Sequence, residues 1–342
     1  MGKTILDLLN NIQKDDTSNP NSRVLIIDGL NLYLRTFAVN GMLNDRGVPI
    51  GGMMGFLKSL AYAIRETNPT RVMVIYDGAG GSQRRRKMSP NYKANRKPGK
   101  RITRWDAFKN VEEEKEAMKI QFSRLLEYLN TLPINVISID KIEADDTIAY
   151  VTTNLLEDEV IIMSADQDFL QLVNDRVTVW SPIKKIFYTP EKVLEDYGVP
   201  AHNFLMYKIL MGDKSDNLEG VKGLGPKKLP KILPDISKKP LDLDFILDYA
   251  SKGIEPMHKR ITESAIKLNL NEKMMDLKNP PISGELKSLI RRLTSRPINL
   301  LSSNDFNTMY TDDQMGNAID IPDVWLKQHF TRLNSYAKAT HE

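Results

Sequence analysis

The 342-residue chain has no cysteine. That excludes disulfides, thiolate catalysis and zinc–cysteine sites together. Histidine is scarce: His202, His258, His329 and His341 are the whole supply, and none stands in a metal-ligand spacing. Any metal site must therefore be built from oxygen ligands, which points to magnesium or manganese rather than zinc. No run of eighteen apolar residues occurs, so no membrane span is expected. The N-terminus lacks the basic and apolar regions of a secretory signal, and the expected setting is a cytoplasm. No Walker-type loop is present, which argues against a nucleotide-driven motor. What the chain does have is 41% hydrophobic residues, enough for a substantial core.

Net charge is only +4, but its distribution is uneven. From Gly80 to Trp105 there is no acidic residue, while Arg84, Arg85, Arg86, Lys87, Lys93, Arg96, Lys97, Lys100, Arg101 and Arg104 all fall there. A second basic run holds Lys222, Lys227, Lys228 and Lys231. Segregated basic charge in a near-neutral chain suggests a polyanionic partner; a solvated basic loop is the alternative.

Residues 1–22 form a polar tail, with Ile5, Leu8, Leu9 and Ile12 at helical spacing. Continuous apolar runs then recur at 24–27, 72–76, 134–139, 160–163 and 177–180. Runs of this kind predict strands buried on both faces. Helical patterns lie between them at 52–65, 112–132 and 145–156. The alternation predicts an α/β fold with a parallel, twisted sheet and helices on both faces. Its catalytic domain would span 23–190, followed by a helical region over 191–342. The stretch from about 80 to 116 is too long and basic for an ordinary connection, and reads as a functional insertion.

Four of the five runs end at acidic residues. Asp28 and Asp77 follow strands directly; Glu143, Asp145 and Asp146 open a helix; Asp166 and Asp168 straddle a turn; Asp213 and Asp216 follow a helix near Met211. Each alone suits a helix cap or turn. Together they converge on the carboxyl edge of the sheet, where sites of such folds lie. Clustered carboxylates repel one another and need cations. Two magnesium ions would suffice for phosphodiester hydrolysis without a side-chain nucleophile, and the chain offers no obvious one.

These motifs, from Val24 to Asn31, Tyr76 to Gly78, Glu143 to Asp146, Ser164 to Asp168 and Gly212 to Asn217, resemble the 5′ nuclease (flap endonuclease) superfamily in order and spacing. Within it, Trp180-Ser-Pro182-Ile-Lys-Lys185 is similar to the ribonuclease H branch of T-even-type bacteriophages. The resemblance implies a PIN-like 5′ nuclease fold with a helical arch over the site and a helix–hairpin–helix at about 204–234. It implies that Asp28, Asp77, Glu143, Asp146 and Asp166 hold a first Mg2+, with Asp145 a less essential member of the set. Asp168, Asp213 and Asp216 would hold a second, and Mn2+ could substitute. Lys93 and Arg96 would meet the scissile phosphate. The implied activity is 5′→3′ exonuclease and flap endonuclease removal of RNA primers during phage-type DNA replication. A sliding clamp and a single-strand-binding protein are implied partners, the chain itself being a monomer, and no membrane is involved.

Gly223 and Gly225 would let backbone N–H groups approach a phosphate, with Lys222, Lys227 and Lys228 adding sequence-independent attraction to branched or nicked DNA and RNA–DNA duplexes. The resemblance adds a K+ ion at this hairpin. Arg84, Arg85 and Arg86 are expected on phosphates, and Tyr92 and Trp105 on splayed bases; Tyr33 and Phe37 suit core packing better. A PIN-type ribonuclease and a non-catalytic branched-DNA binder are the alternatives. The first lacks the basic insertion and hairpin; the second predicts gaps in the acidic set, and none is present.

Overall fold

In strands buried on both faces, successive side chains must all be apolar, and the sheet is built that way. Leu25 and Ile27 face one core, Val24 and Ile26 the other, and all four are fully buried. The computed structural model describes residues 18–94 and 107–341. The five expected runs are strands β1 (Arg23–Asp28), β2 (Arg71–Asp77), β3 (Asn135–Ile139), β4 (Glu159–Met163) and β5 (Val177–Ser181). All pair in parallel. A short β6 (Ile186–Tyr188), not anticipated, adds antiparallel to β5. The order is β3-β2-β1-β4-β5-β6, so β1 is central and its Asp28 end sits mid-edge.

Helices α1 (Gly29–Val39), α2 (Gly51–Thr67), α3 (Gln83–Met88), α4 (Val111–Asn130) and α5 (Ala144–Asn154) follow in chain order. After Asp166 the chain forms a short 3-10 segment, Gln167–Leu172, before β5. Helices α1, α2 and α4 cover one face of the sheet, and α5 the other. Tyr33 and Phe37 of α1 are buried in the first core, where the Tyr33 hydroxyl donates to the Met118 carbonyl at 2.5 Å.

Beyond β6 the chain is helical: α6 (Pro190–Tyr197), α7 (Phe204–Met211), α8 (Leu229–Ile232), α9 (Leu243–Lys252), α10 (Pro256–Glu263), α11 (Ala265–Met275), α12 (Gly284–Thr294), α13 (Ser303–Asp312) and α14 (Pro322–Ala339). A two-stranded hairpin, β7 (Gly212–Asp213) with β8 (Leu218–Glu219), interrupts them. This region divides between cores. Helices α7 to α11 form their own cluster. Helix α12 packs on the α5 face of the sheet, and α13 and α14 on the opposite face. Among the described residues no helix is long and apolar enough to cross a membrane. The Ile5–Ile12 pattern, Arg96 and Trp105 lie outside the described residues.

Candidate active site

Asp28 ends β1 and caps α1, accepting the Asn31 amide at 3.2 Å. Its other oxygen accepts the Ser164 hydroxyl at 3.1 Å, and Ser164 Oγ accepts the Asp166 amide at 3.0 Å. One serine thus ties the ends of β1 and β4 together. Asp77 ends β2 and accepts the Ala144 amide at 2.7 Å, holding the start of α5. Asp166 caps the 3-10 segment through the Asp168 amide. The capping roles are real, and the same caps set the carboxylates along one edge.

Charge divides this edge in two. Arg85 is buried and clasps both Glu143 and Asp146; its Nη2 lies 2.7 Å from Asp146 Oδ1. Lys93 Nζ lies 2.7 Å from Glu143 Oε1. Against burial, these cations hold Glu143 below the usual carboxylate range. Lys208 lies 2.8 Å from Asp168 and 2.5 Å from Asp213. Asp213 is held at about 2 despite burial because Lys208 and Ser215 bond it. Asp168, buried and facing Asp166, is instead pushed up to about 7.

The other half has no such partners. Among the described residues, no lysine or arginine stands within ion-pair distance of Asp28, Asp77, Asp145 or Asp166. Burial, with repulsion from Asp166 and Asp77, pushes Asp28 up to about 7. Asp145 is pushed up by burial and by the charges of Asp166 and Asp28. Among the described residues no three carboxylates close on one point as a preformed ion cage would. The donor chemistry still fits a hard divalent cation: every donor is an oxygen, and among the described residues Asp28, Asp77, Asp145 and Asp166 have no ion-pair partner to offset their charge.

Lys93 has φ +56°, and its amide donates to the Asp216 carbonyl at 3.1 Å. Asn217, with φ +59°, donates from its side chain to the Asn91 carbonyl. Non-glycine residues in this region are uncommon and cluster at functional sites. Here they join the base of the basic insertion to the 212–219 hairpin.

Two residues expected on nucleic acid are buried. Arg85 cannot lie on a phosphate while its guanidinium is spent on Glu143, Asp146 and the Met274 carbonyl. Tyr92 is 4% exposed and packs in the helical cluster, so it anchors the insertion rather than stacking on bases. Arg86 is exposed, whereas Arg84 is half-buried with Nη2 3.9 Å from Asp146. At the hairpin loop, Lys222, Gly223, Lys227 and Lys228 are exposed and Gly225 half-buried. Gly223 needs its φ of +82°, and open space surrounds the missing Cβ of Gly225. Lys228 Nζ donates to the Gly223 carbonyl at 3.1 Å. Helix α8, the second helix here, is a single turn.

Sequence reasoning missed Lys208. The signal was present: a lone lysine inside Phe204-Leu-Met-Tyr-Lys-Ile-Leu-Met211 must pair if that helix is buried. It also missed Ser164 as the link between Asp28 and Asp166.

A mostly parallel sheet with an acidic carboxyl edge, covered on both faces and joined to a helical region, resembles the PIN-like fold of solved 5′ nuclease structures. Residues 23–198 match the model of the 5′-3′ exonuclease N-terminal resolvase-like domain, and the chain belongs to that 5′-3′ exonuclease family. It is 31% identical to a 5′-3′ exonuclease of Bacillus subtilis, over 79% of this chain and 88% of that one. It is 35% identical to a thermostable DNA polymerase I of Thermus thermophilus over 63% of this chain, but spans only 24% of the polymerase. Among solved structures, it resembles the bacteriophage T5 flap endonuclease in complex with DNA and metal ions. That match has a TM-score of 0.60 at 20% identity and covers 85% of this chain and 97% of the other. A T5 5′-exonuclease structure with bound zinc matches at TM-score 0.61 and 22% identity, over 85% and 98%.

Proposed function

We propose that this protein is a magnesium-dependent 5′→3′ exonuclease and structure-specific flap endonuclease that removes RNA primers and 5′ flaps during phage-type DNA replication. The observation that carries the reading is the unpaired half of the acidic edge, Asp28, Asp145 and Asp166, beside Lys93. Family membership and the DNA and metal ions named for the T5 structure support it.

Asp28, Asp77, Glu143, Asp146 and Asp166, with Asp145, would hold one divalent ion, and Asp168, Asp213 and Asp216 a second. Such ions lower the pKa of water and offset charge on a leaving oxygen. Water adds to phosphorus, and the bond from phosphorus to the departing nucleotide breaks. The chain's own part is positional. Ser164 fixes the rotamer of Asp28 relative to Asp166. Lys93 transfers its hydrogen bond from Glu143 to a phosphate oxygen as charge builds there, and Arg96 assists. The exposed Lys222 and Lys227 and the loop glycines hold duplex by its phosphates, with no base readout.

The test is cleavage of 5′-flap, nicked, RNA–DNA and single-stranded substrates with and without Mg2+. Mg2+-dependent cutting of flaps and RNA–DNA hybrids is the expected result. Activity confined to single-stranded RNA would replace this reading with a PIN-type ribonuclease.

A further inference from the structure

A cavity of about 520 Å³ lies at the amino edge of the sheet, the end away from the carboxylates. Strand β2 starts there at Arg71 and reaches the acidic edge at Asp77, roughly 20 Å on at about 3.3 Å per residue. The walls gather distant parts of the chain. The end of α5, the end of α12 and the residue after α14 meet the start of β2 and the segment before β1. The nuclease reading gives this edge no task.

Three arginines line the cavity, Arg71, Arg291 and Arg296, and no acidic residue does. Arg71 is 4% exposed. Its Nε donates to Asn135 Oδ1 at 2.9 Å and its Nη1 to Asn21 Oδ1 at 3.0 Å. Its Nη2 donates to the Thr294 and Arg296 carbonyls at 2.7 and 2.9 Å. All four acceptors are uncharged. A guanidinium has five N–H groups, so Nη1 keeps one to spare. Burial draws Arg71 down to about 10, which leaves it charged at neutral pH. Of the acids that follow Leu156, none lines the cavity. Asp158 accepts the Asn19 side-chain amide at 2.8 Å, and Glu159 pairs with Arg23 at 3.0 Å. Arg291 and Arg296 are exposed, and no ion pair holds either one among the described residues.

Helix capping explains part of this arrangement, since Arg71 bonds the last carbonyls of α12. A helix C-terminus carries only about half a negative charge, so three guanidinium groups outweigh three helix ends by roughly 1.5 charges. The excess calls for an anion. At neutral pH a phosphate ester brings close to two charges and three acceptor oxygens, a carboxylate one charge and two oxygens. Arginine forks bind either, but the excess suits the phosphate. The volume lies within the range of small-molecule sites, about 300–1,000 Å³, and is more than a bare ion fills. Met73, Leu155 and Leu156 give the remaining wall an apolar surface.

We propose that this cavity binds a small organic phosphate. Its phosphate meets Arg71, Arg291 and Arg296, and its uncharged body rests on Met73, Leu155 and Leu156. The site is separate from the acidic edge and does not rest on the nuclease reading. One anion there would join β2 to α12, and so strengthen the docking of the C-terminal helices on the sheet. Inorganic phosphate shares the anion chemistry and is the rival source.

The test is calorimetric titration of the full chain in EDTA at constant ionic strength, with AMP, adenosine and inorganic phosphate as probes. EDTA removes divalent ions, so the acidic edge repels all three anions or ignores them. AMP is expected to bind at one site. Inorganic phosphate should compete for it about tenfold more weakly, having no body to bury, and adenosine should not bind. Arg291→Glu and Arg296→Glu should each raise Kd for AMP by about tenfold or more, the scale of one lost charge-assisted hydrogen bond. Both side chains are exposed, and melting curves of the unliganded variants check that the fold is kept. Inorganic phosphate binding as tightly as AMP overturns the organic assignment in favour of the free ion. Adenosine binding as tightly as AMP overturns the anion site. Silence from both AMP and phosphate, or an unchanged Kd in both arginine variants, overturns the proposal. Binding of AMP that is lost instead in Lys222→Glu places the anion at the hairpin loop and overturns it as well.

Discussion

The two halves of the acidic edge carry the same kind of side chain in opposite electrostatic states. Glu143 and Asp146 are closed by Arg85 and Lys93, and Asp213 by Lys208. Asp28, Asp145 and Asp166 face one another, and two of them are pushed up by burial and repulsion. The paired half is a structural joint: Arg85 also bonds the Met274 carbonyl and so ties α3 and α5 to α11. The unpaired half is a standing cost to the fold, and such a cost persists where it serves function. The difference locates where the proposed divalent ions would act and where, among the described residues, the chain has supplied its own cation.

The sharpest way to break this comparison is to neutralise one carboxylate from each half. Asp166→Asn and Asp146→Asn should both lower Mg2+-dependent flap cleavage by at least roughly 10³-fold, or about 4 kcal/mol of barrier. Their effects on stability should have opposite signs. Losing Asp166 removes repulsion on Asp28, Asp145 and Asp168, so the melting temperature should rise. Losing Asp146 removes a partner of buried Arg85, so it should fall. Melting curves in EDTA decide the matter; shifts of the same sign would end the distinction between halves.

Next in size is the clasp itself. Arg85→Met leaves Glu143 and Asp146 buried and short of a cation. Removing one member of a buried ion pair costs about 3–5 kcal/mol. Urea unfolding should show that loss. A loss below about 1 kcal/mol would mean that Lys93 and Arg84 compensate, and that Arg85 is free to serve nucleic acid after all.

Lys93 belongs to both halves, since it bonds Glu143 and also feels Asp145. Lys93→Ala should slow single-turnover cleavage by about 10²-fold, the usual cost of removing one preorganised donor. Stability should change little, because Arg85 still holds Glu143. A large loss of stability with cleavage intact would make Lys93 a strut and move the phosphate contact elsewhere.

The carboxylates of both halves were legible in the sequence, but the cations that close the paired half were not, for a physical reason. Apolar runs ending in Asp28, Asp77 and Asp166 are local patterns, and strand ends follow from them directly. The partners of Glu143 and Asp168 lie far along the chain, at Arg85 and Lys208, and no spacing rule reaches them. Arg85 stood in a triplet that looked like one basic surface; folding buries the middle residue and leaves Arg86 outside. Tyr92 read as a stacking residue because its neighbours are charged, yet its ring closes the helical cluster. Strand β6 is three residues long, too short for a periodic signal. The packing of α13 and α14 on the sheet depends on tertiary return of the chain, which amphipathic spacing alone does not specify.

The smallest expected effect concerns cations that have no carboxylate to serve. Lys222 and Lys227 are exposed at the hairpin loop, and no ion pair holds either one among the described residues. If the paired half exists to close charge internally, these lysines are its converse, left open for phosphates. Lys222→Ala and Lys227→Ala should each weaken branched-duplex binding only a few-fold. Each should also lower the slope of log Kd against log salt by about 1, whatever the DNA sequence. Lys228→Ala should do less, because its ammonium is occupied by the Gly223 carbonyl. Equal salt slopes for all three variants would show that Lys228 leaves that carbonyl to meet DNA, and the division between self-paired and open cations would then not extend to the loop.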